Sequence, residues 1–224
     1  MASEVDICNL ALAFLGDSAT VSSINPPDQS AQAGHCARFY PIVRDALLEM
    51  HYWGFATKRV ALAYAPNNPS TTWKYAYLPP SDIINFIAIL DPLAADDYSA
   101  GLQMAGTIPG SIQSGIGVYT PQNFQVETNT DGSPIILTNQ LDAVLRYTAA
   151  VTDTTQFSPL FVEAFAMLLS SHLAGPVLKG AEGRAAAKEL IKEFFTWWKE
   201  QAIESDANQR RTNPMPSPSW MINR

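Results

Sequence analysis

The chain predicts an α+β protein: a four-helix bundle formed by the N- and C-terminal helices, an inserted small antiparallel β domain, and an extended C-terminal arm. Three observations carry that expectation. Apolar residues recur at helical spacing at both ends of the chain, while the middle shows short aromatic and β-branched runs broken by Pro and Gly. The last segment has Pro214, Pro216 and Pro218 at alternate positions, which denies a helix and favours a stiff extended strand of chain. The implied boundaries are residues 1–56 and 152–206 for the bundle, 57–151 for the β domain and 207–224 for the arm.

The first helix is expected from Ser3 to Leu15. Ser3 and Asp6 have capping-box spacing, Ile7, Leu10, Ala11 and Phe14 share one face, and Gly16 supplies a stop. A second helix should start near Asp28, after Pro26-Pro27, and run to about His51, with Pro41 kinking it or dividing it in two. From Thr57 the helical period disappears. Val60 to Tyr64, Trp73 to Tyr77 and Ile83 to Leu90 read as strands, Phe124 to Thr128 and Ile135 to Thr138 as a hairpin around Asp131-Gly132, and Val144 to Ala149 as a last strand. Five or six such strands make a small sheet or barrel. The Gly-rich stretch between Asp96 and Gln122 reads either as a functional loop or as one with no role of its own.

Helix returns at Ser158-Pro159, where Ser caps and Pro takes the first helical position, and continues until Gly175-Pro176 bends or stops it. From Glu182 to Ser205 a last helix is expected to gather Leu190, Ile191, Phe194, Trp197, Trp198 and Ala202 on one broad face. Beyond it, the arm ends in Trp220-Met221-Ile222. Exposed apolar residues on such a tail suit a partner's pocket, and the alternative is a frayed terminus whose Trp220 folds back on the bundle.

Composition narrows the function. With 224 residues the chain can bury a sizeable core, and a formal charge of −7 without any block of like charges argues against a nucleic-acid clamp, which needs clustered Lys and Arg. No run of 18 apolar residues reads as a bilayer span, and the N-terminus lacks the pattern of a secretory signal, so folding in the cytosol is expected. Cys8 and Cys36 lie on separate expected helices and read as buried free thiols.

Catalytic chemistry finds little support. His35, His51 and His172 are scattered, no cysteine or histidine falls at zinc spacing, and the glycines from Gly101 to Gly117 lack the Gly-Lys-Ser or Gly-Lys-Thr of a phosphate loop. Asp96-Asp97 is a carboxylate pair that a glycosidase could use, and in a polar loop it reads more simply as a solvated turn. No catalytic residue, metal or cofactor is expected.

Residue order adds a further indication. The series Asn9-Leu10-Ala11-Leu12-Ala13, Leu15-Gly16-Asp17 and Tyr40 through Ala56, with Trp53-x-Phe55-Ala56 at its end, resembles the opening of the head-to-tail adaptors of short-tailed bacteriophages, the tail tubular protein A-like family. The likeness extends to Trp73, Tyr75 and Tyr77 before Leu78-Pro79, to Leu145-Arg146-Tyr147, and to Asp153, Phe157, Phe161, Ala164 and Leu168-Leu169.

The resemblance implies a structural virion protein without enzymatic activity, made in the host cytoplasm. It implies a ring of twelve copies between the portal protein and the tail nozzle protein, with DNA passing through as cargo and no contact with a membrane. Its β domain would face the nozzle. The C-terminal arm would bind the portal, and the candidate residues are Arg210, Arg211, Pro214, Pro216, Pro218, Trp220, Met221, Ile222 and Arg224. The alternatives are a tail-associated cell-wall hydrolase and a DNA-packaging accessory protein.

Overall fold

The computed structural model describes residues 2–18, 20–92, 122–129 and 131–209. The fold is mixed α/β, with four helices and two small antiparallel sheets. The chain forms two compact units, one of Met1–Lys58, Asp82–Asn85 and Tyr147–Gln209, the other built on Arg59–Ser81 and Phe86–Arg146.

In the helical unit, α1 spans Glu4–Phe14. Its start is the expected capping box: Ser3 Oγ accepts from the Asp6 amide at 3.1 Å, and the Ser3 amide donates to the Asp6 carboxylate at 2.8 Å. Its end is a Schellman turn, in which Gly16, at φ +73°, lets the Gly16 and Asp17 amides reach the Ala13 and Leu12 carbonyls.

Helix α2 spans Ala31–Glu49, starting later than its expected origin at Asp28. The Asp28 carboxylate is occupied by Ser22 and Ser30, and Ser30 is the residue that caps the helix. Of the two outcomes expected at Pro41, division does not occur: α2 runs from Ala31 to Glu49 through it. Pro41 is exposed, so its ring stands away from the packed face.

Helix α3, Pro159–Leu178, begins as expected with Ser158 accepting from the Phe161 amide. It passes through Gly175-Pro176 instead of stopping there. Only the last turn follows Pro176, and the carbonyl four residues back, which the proline leaves unbonded, belongs to exposed His172. Helix α3 packs against α1 and α2 and against both parts of the last helix. That central position corrects the sequence reading on membrane spans: α3 is long and apolar enough to cross a bilayer, yet its apolar surface is mostly spent inside this core.

The last helix starts at Gly180 instead of Glu182, after a turn in which Lys179 and Gly180 both have positive φ. Its first part, α4, covers Gly180–Glu193, a π-helical stretch follows at Phe194–Trp198, and α5 completes it as Lys199–Asn208. The π stretch sets which side is buried. Phe194 and Ala202 are eight residues apart and would diverge by about 80° on an unbroken α-helix. The wider turn recovers most of that angle, and both are fully buried. Trp197, within the π stretch, and Ile191, on the regular part before it, are both exposed, so the single broad apolar face expected there is not formed.

In the other unit, β2 (Ala63–Tyr64), β3 (Tyr75–Leu78), β6 (Pro134–Thr138) and β5 (Phe124–Thr128) form an antiparallel sheet in the order β2-β3-β6-β5. The hairpin around Asp131-Gly132 pairs Phe124 with Thr138 and Thr128 with Pro134, with Gly132 at φ +86°. Ala76, Ile135 and Leu137 form its small core. The second sheet has the order β1-β7-β4, from β1 (Thr57–Ala61), β7 (Val144–Ala149) and β4 (Ile83–Leu90). Among the described residues seven strands stand where five or six were expected, because the Val60 to Tyr64 run divides at Leu62. There the Leu62 amide bonds the Ala143 carbonyl at 2.9 Å, and the chain leaves one sheet for the other.

Five carboxylates are held below the ordinary aspartate range by hydrogen bonds. Asp28 is shifted furthest, by the Ser22 amide and then by Ser30, and Asp6, Asp82, Asp131 and Asp153 move in the same direction through Ser3, Lys58, Ser133 and Thr155. Depressed folded-state values mean stability that is present above the unfolded value of about 3.9 and is lost as pH falls through the folded values. Thermal melts should therefore show Tm falling below about pH 4, less steeply in Asp28→Asn. A Tm insensitive to acid would contradict this.

Candidate interaction surfaces

Among the described residues, no group of three or more His, Cys, Asp or Glu side chains is placed to hold a metal ion. His35 is half-buried on α2, and His172 is exposed on α3 beside Phe39, with ring centroids 5.9 Å apart. Cys8 and Cys36 are free and fully buried, as expected. A hydrogen bond between the two thiols, with burial, pushes Cys8 upward. Asp96-Asp97, the Gly101 to Gly117 stretch and the whole set of arm candidates, Arg210 through Arg224, lie outside the described residues.

The end of the last described helix is well fixed. Asp206, in the last turn of α5, is buried and reaches back to the segment after α2. Its Oδ1 accepts from the Gly54 amide at 2.7 Å, and its Oδ2 lies 3.4 Å from His51 Nε2. Trp53 stands between those two residues, edge-on to the His51 ring at 4.9 Å. A carboxylate buried this way is costly to strip of its partners, so the helix end stays against the unit up to Gln209. Periodicity could not reveal this contact, because it joins residues 152 positions apart.

Among the described residues, two surfaces stand out. One is a groove of about 390 Å³ between α1, α2 and the segment joining them, with Glu4, Arg44 and Tyr40 among its lining residues. Burial raises the Tyr40 phenol, whose hydroxyl lies beneath the surface. The other surface is the solvent side of the last helix. Trp197 is 58% exposed, Phe195 46% and Ile191 40%, and Lys199 Nζ sits 5.5 Å above the Phe195 ring. Large aromatics left in water on a rigid helix are typical of contact surfaces, where they anchor a partner.

No protein-family model matches this chain, and no curated protein resembles it at a significant level.

Proposed function

We propose that the chain is a head-to-tail connector of a tailed bacteriophage, a ring-forming adaptor between portal and tail nozzle through which DNA passes. In this reading the four helices act as a four-helix bundle with the antiparallel β domain inserted between its halves, and the Arg210 to Arg224 segment is an extended arm that engages the portal. The observation that carries the proposal is the order of parts: two helices, a β insert, two helices, and then directly a Pro-rich segment ending in Trp220-Met221-Ile222. It is the order that the residue resemblance implies.

Each step has a physical basis. A closed ring needs heterologous contacts, in which one side of a subunit meets the other side of its neighbour. An arm that orders only in a portal pocket makes assembly sequential, because the partner's contacts offset the entropy of ordering. Its apolar tip supplies anchors, and Arg210, Arg211 and Arg224 add charge for an acidic rim.

Deletion of Pro214 to Arg224 should leave the melting curve unchanged while abolishing co-sedimentation with portal rings of the same phage. Trp220→Ala should produce most of that loss. A truncated chain that binds portals as tightly as the full chain would remove the arm from the mechanism.

A further inference from the structure

The charges on the last helix are sorted by side. At about 100° per residue, Arg184, Lys188 and Lys192 climb one flank of α4, and Glu182, Glu189 and Glu193 climb another roughly 120° away. All six are exposed, and the packed line through Gly183 and Phe194 lies behind them. The basic flank ends on Phe195 under Lys199, and the acidic flank ends on Trp197.

Successive members sit at matching heights: 184 with 182, 188 with 189, 192 with 193, and 195 with 197. These offsets of one or two residues are about 1.5–3 Å along the axis.

Among the described residues, none of the six charges is found in an ion pair. Like charges four apart, as in Arg184–Lys188, Lys188–Lys192 and Glu189–Glu193, weaken a helix. Glu189 and Lys192, three apart, offset part of that cost, and a surface with both signs at equal height is complementary to its own copy.

We infer that this helix is the seam of head-to-tail self-association: the basic flank of one copy lies along the acidic flank of the next, helices parallel, with Trp197 of one turned toward Phe195 and Lys199 of the other. Two flanks on different sides of one helix serve two different neighbours, which is the heterologous contact a ring or filament requires. Paired opposite charges favour a basic-against-acidic contact over a like-against-like one, while the aromatics supply buried area. The inference deepens the ring reading above and rests on it for closure of the circle.

Two triple variants test it. Glu182→Lys/Glu189→Lys/Glu193→Lys makes both flanks basic, and Arg184→Glu/Lys188→Glu/Lys192→Glu makes both acidic. Far-UV circular dichroism verifies their folding, and native mass spectrometry with sedimentation reads their association.

Each variant alone should self-associate at least about tenfold more weakly than the wild-type chain, and a mixture of the two should associate, an interaction that weakens in high salt. Trp197→Ala, which alters no charge, should also weaken wild-type association. Variants that self-associate like wild type, or a mixture that stays monomeric, would overturn the seam. Failure of the adaptor reading looks different: the mixed variants would still pair, and the wild-type chain would not join portals.

Discussion

Trp53→Ala should destabilise the helical unit by about 3–5 kcal/mol, the largest effect expected of a single substitution in this chain. Trp53 is fully buried and packs edge-on against Phe161 at 4.9 Å, with Phe55 6.1 Å away. Its indole N–H donates to the Leu47 carbonyl at 2.9 Å, closing off the end of α2. Alanine would leave a large void among α2, α3 and the segment leading to β1, and an unsatisfied carbonyl beside it. A urea titration measures the loss. Trp53→Phe keeps most of the aromatic contacts and should cost less, chiefly the hydrogen bond, at about 1–2 kcal/mol. An alanine variant within about 1 kcal/mol of wild type would contradict the packing described, since buried aromatic truncations cost several times that.

The second large effect is a reversal of sign between two glycines. In an exposed helix interior, Gly→Ala stabilises by about 0.5–1 kcal/mol, because glycine loses more backbone freedom on folding. Gly34 on α2 is such a site, with no atom within 4 Å of an added Cβ, and Gly34→Ala should gain that amount. At Gly183 a Cβ would stand 2.7 Å from the Ala174 carbonyl oxygen and 3.3 Å from Gly175 Cα. Those are backbone atoms of α3, so α3 and α4 must separate. Gly183→Ala should therefore lose about 1–3 kcal/mol despite its better helix propensity, and Gly183→Val more. Thermal melts of the Gly34 and Gly183 alanine variants decide it; equal stabilisation in both would mean that α3 and α4 do not cross this closely.

These two cases also mark what the sequence reveals. Ser3, Asp6, Gly16, Ser158, Pro159 and the Asp131-Gly132 turn act locally, within a few residues, and their helix ends and hairpin were legible from spacing alone. Strands β4, β5 and β7 fell within the expected bounds for the same reason. The misses are tertiary. Helices α2 and α3 continue through Pro41 and Pro176, where spacing allowed a stop, and Leu62 changes sheets because of a partner 81 positions away. The π stretch rotates the last turns of the final helix, so simple periodicity assigned Trp197 to the core; Ile191, before it, lies about 80° from the packed line through Gly183 and was assigned too broad a face. The charge flanks of α4 were written in the sequence as Arg184, Lys188 and Lys192 against Glu182, Glu189 and Glu193. They read as an ordinary solvated surface until Gly183 and Phe194 showed which side is packed.

Electron microscopy of the purified full-length chain mixed with portal rings of the same phage, beside mass analysis of the chain alone, tests the adaptor reading most directly. The account predicts rings of this protein capping one end of the portal. Absence of any association with portals at any concentration would contradict it and return the cell-wall hydrolase to first place.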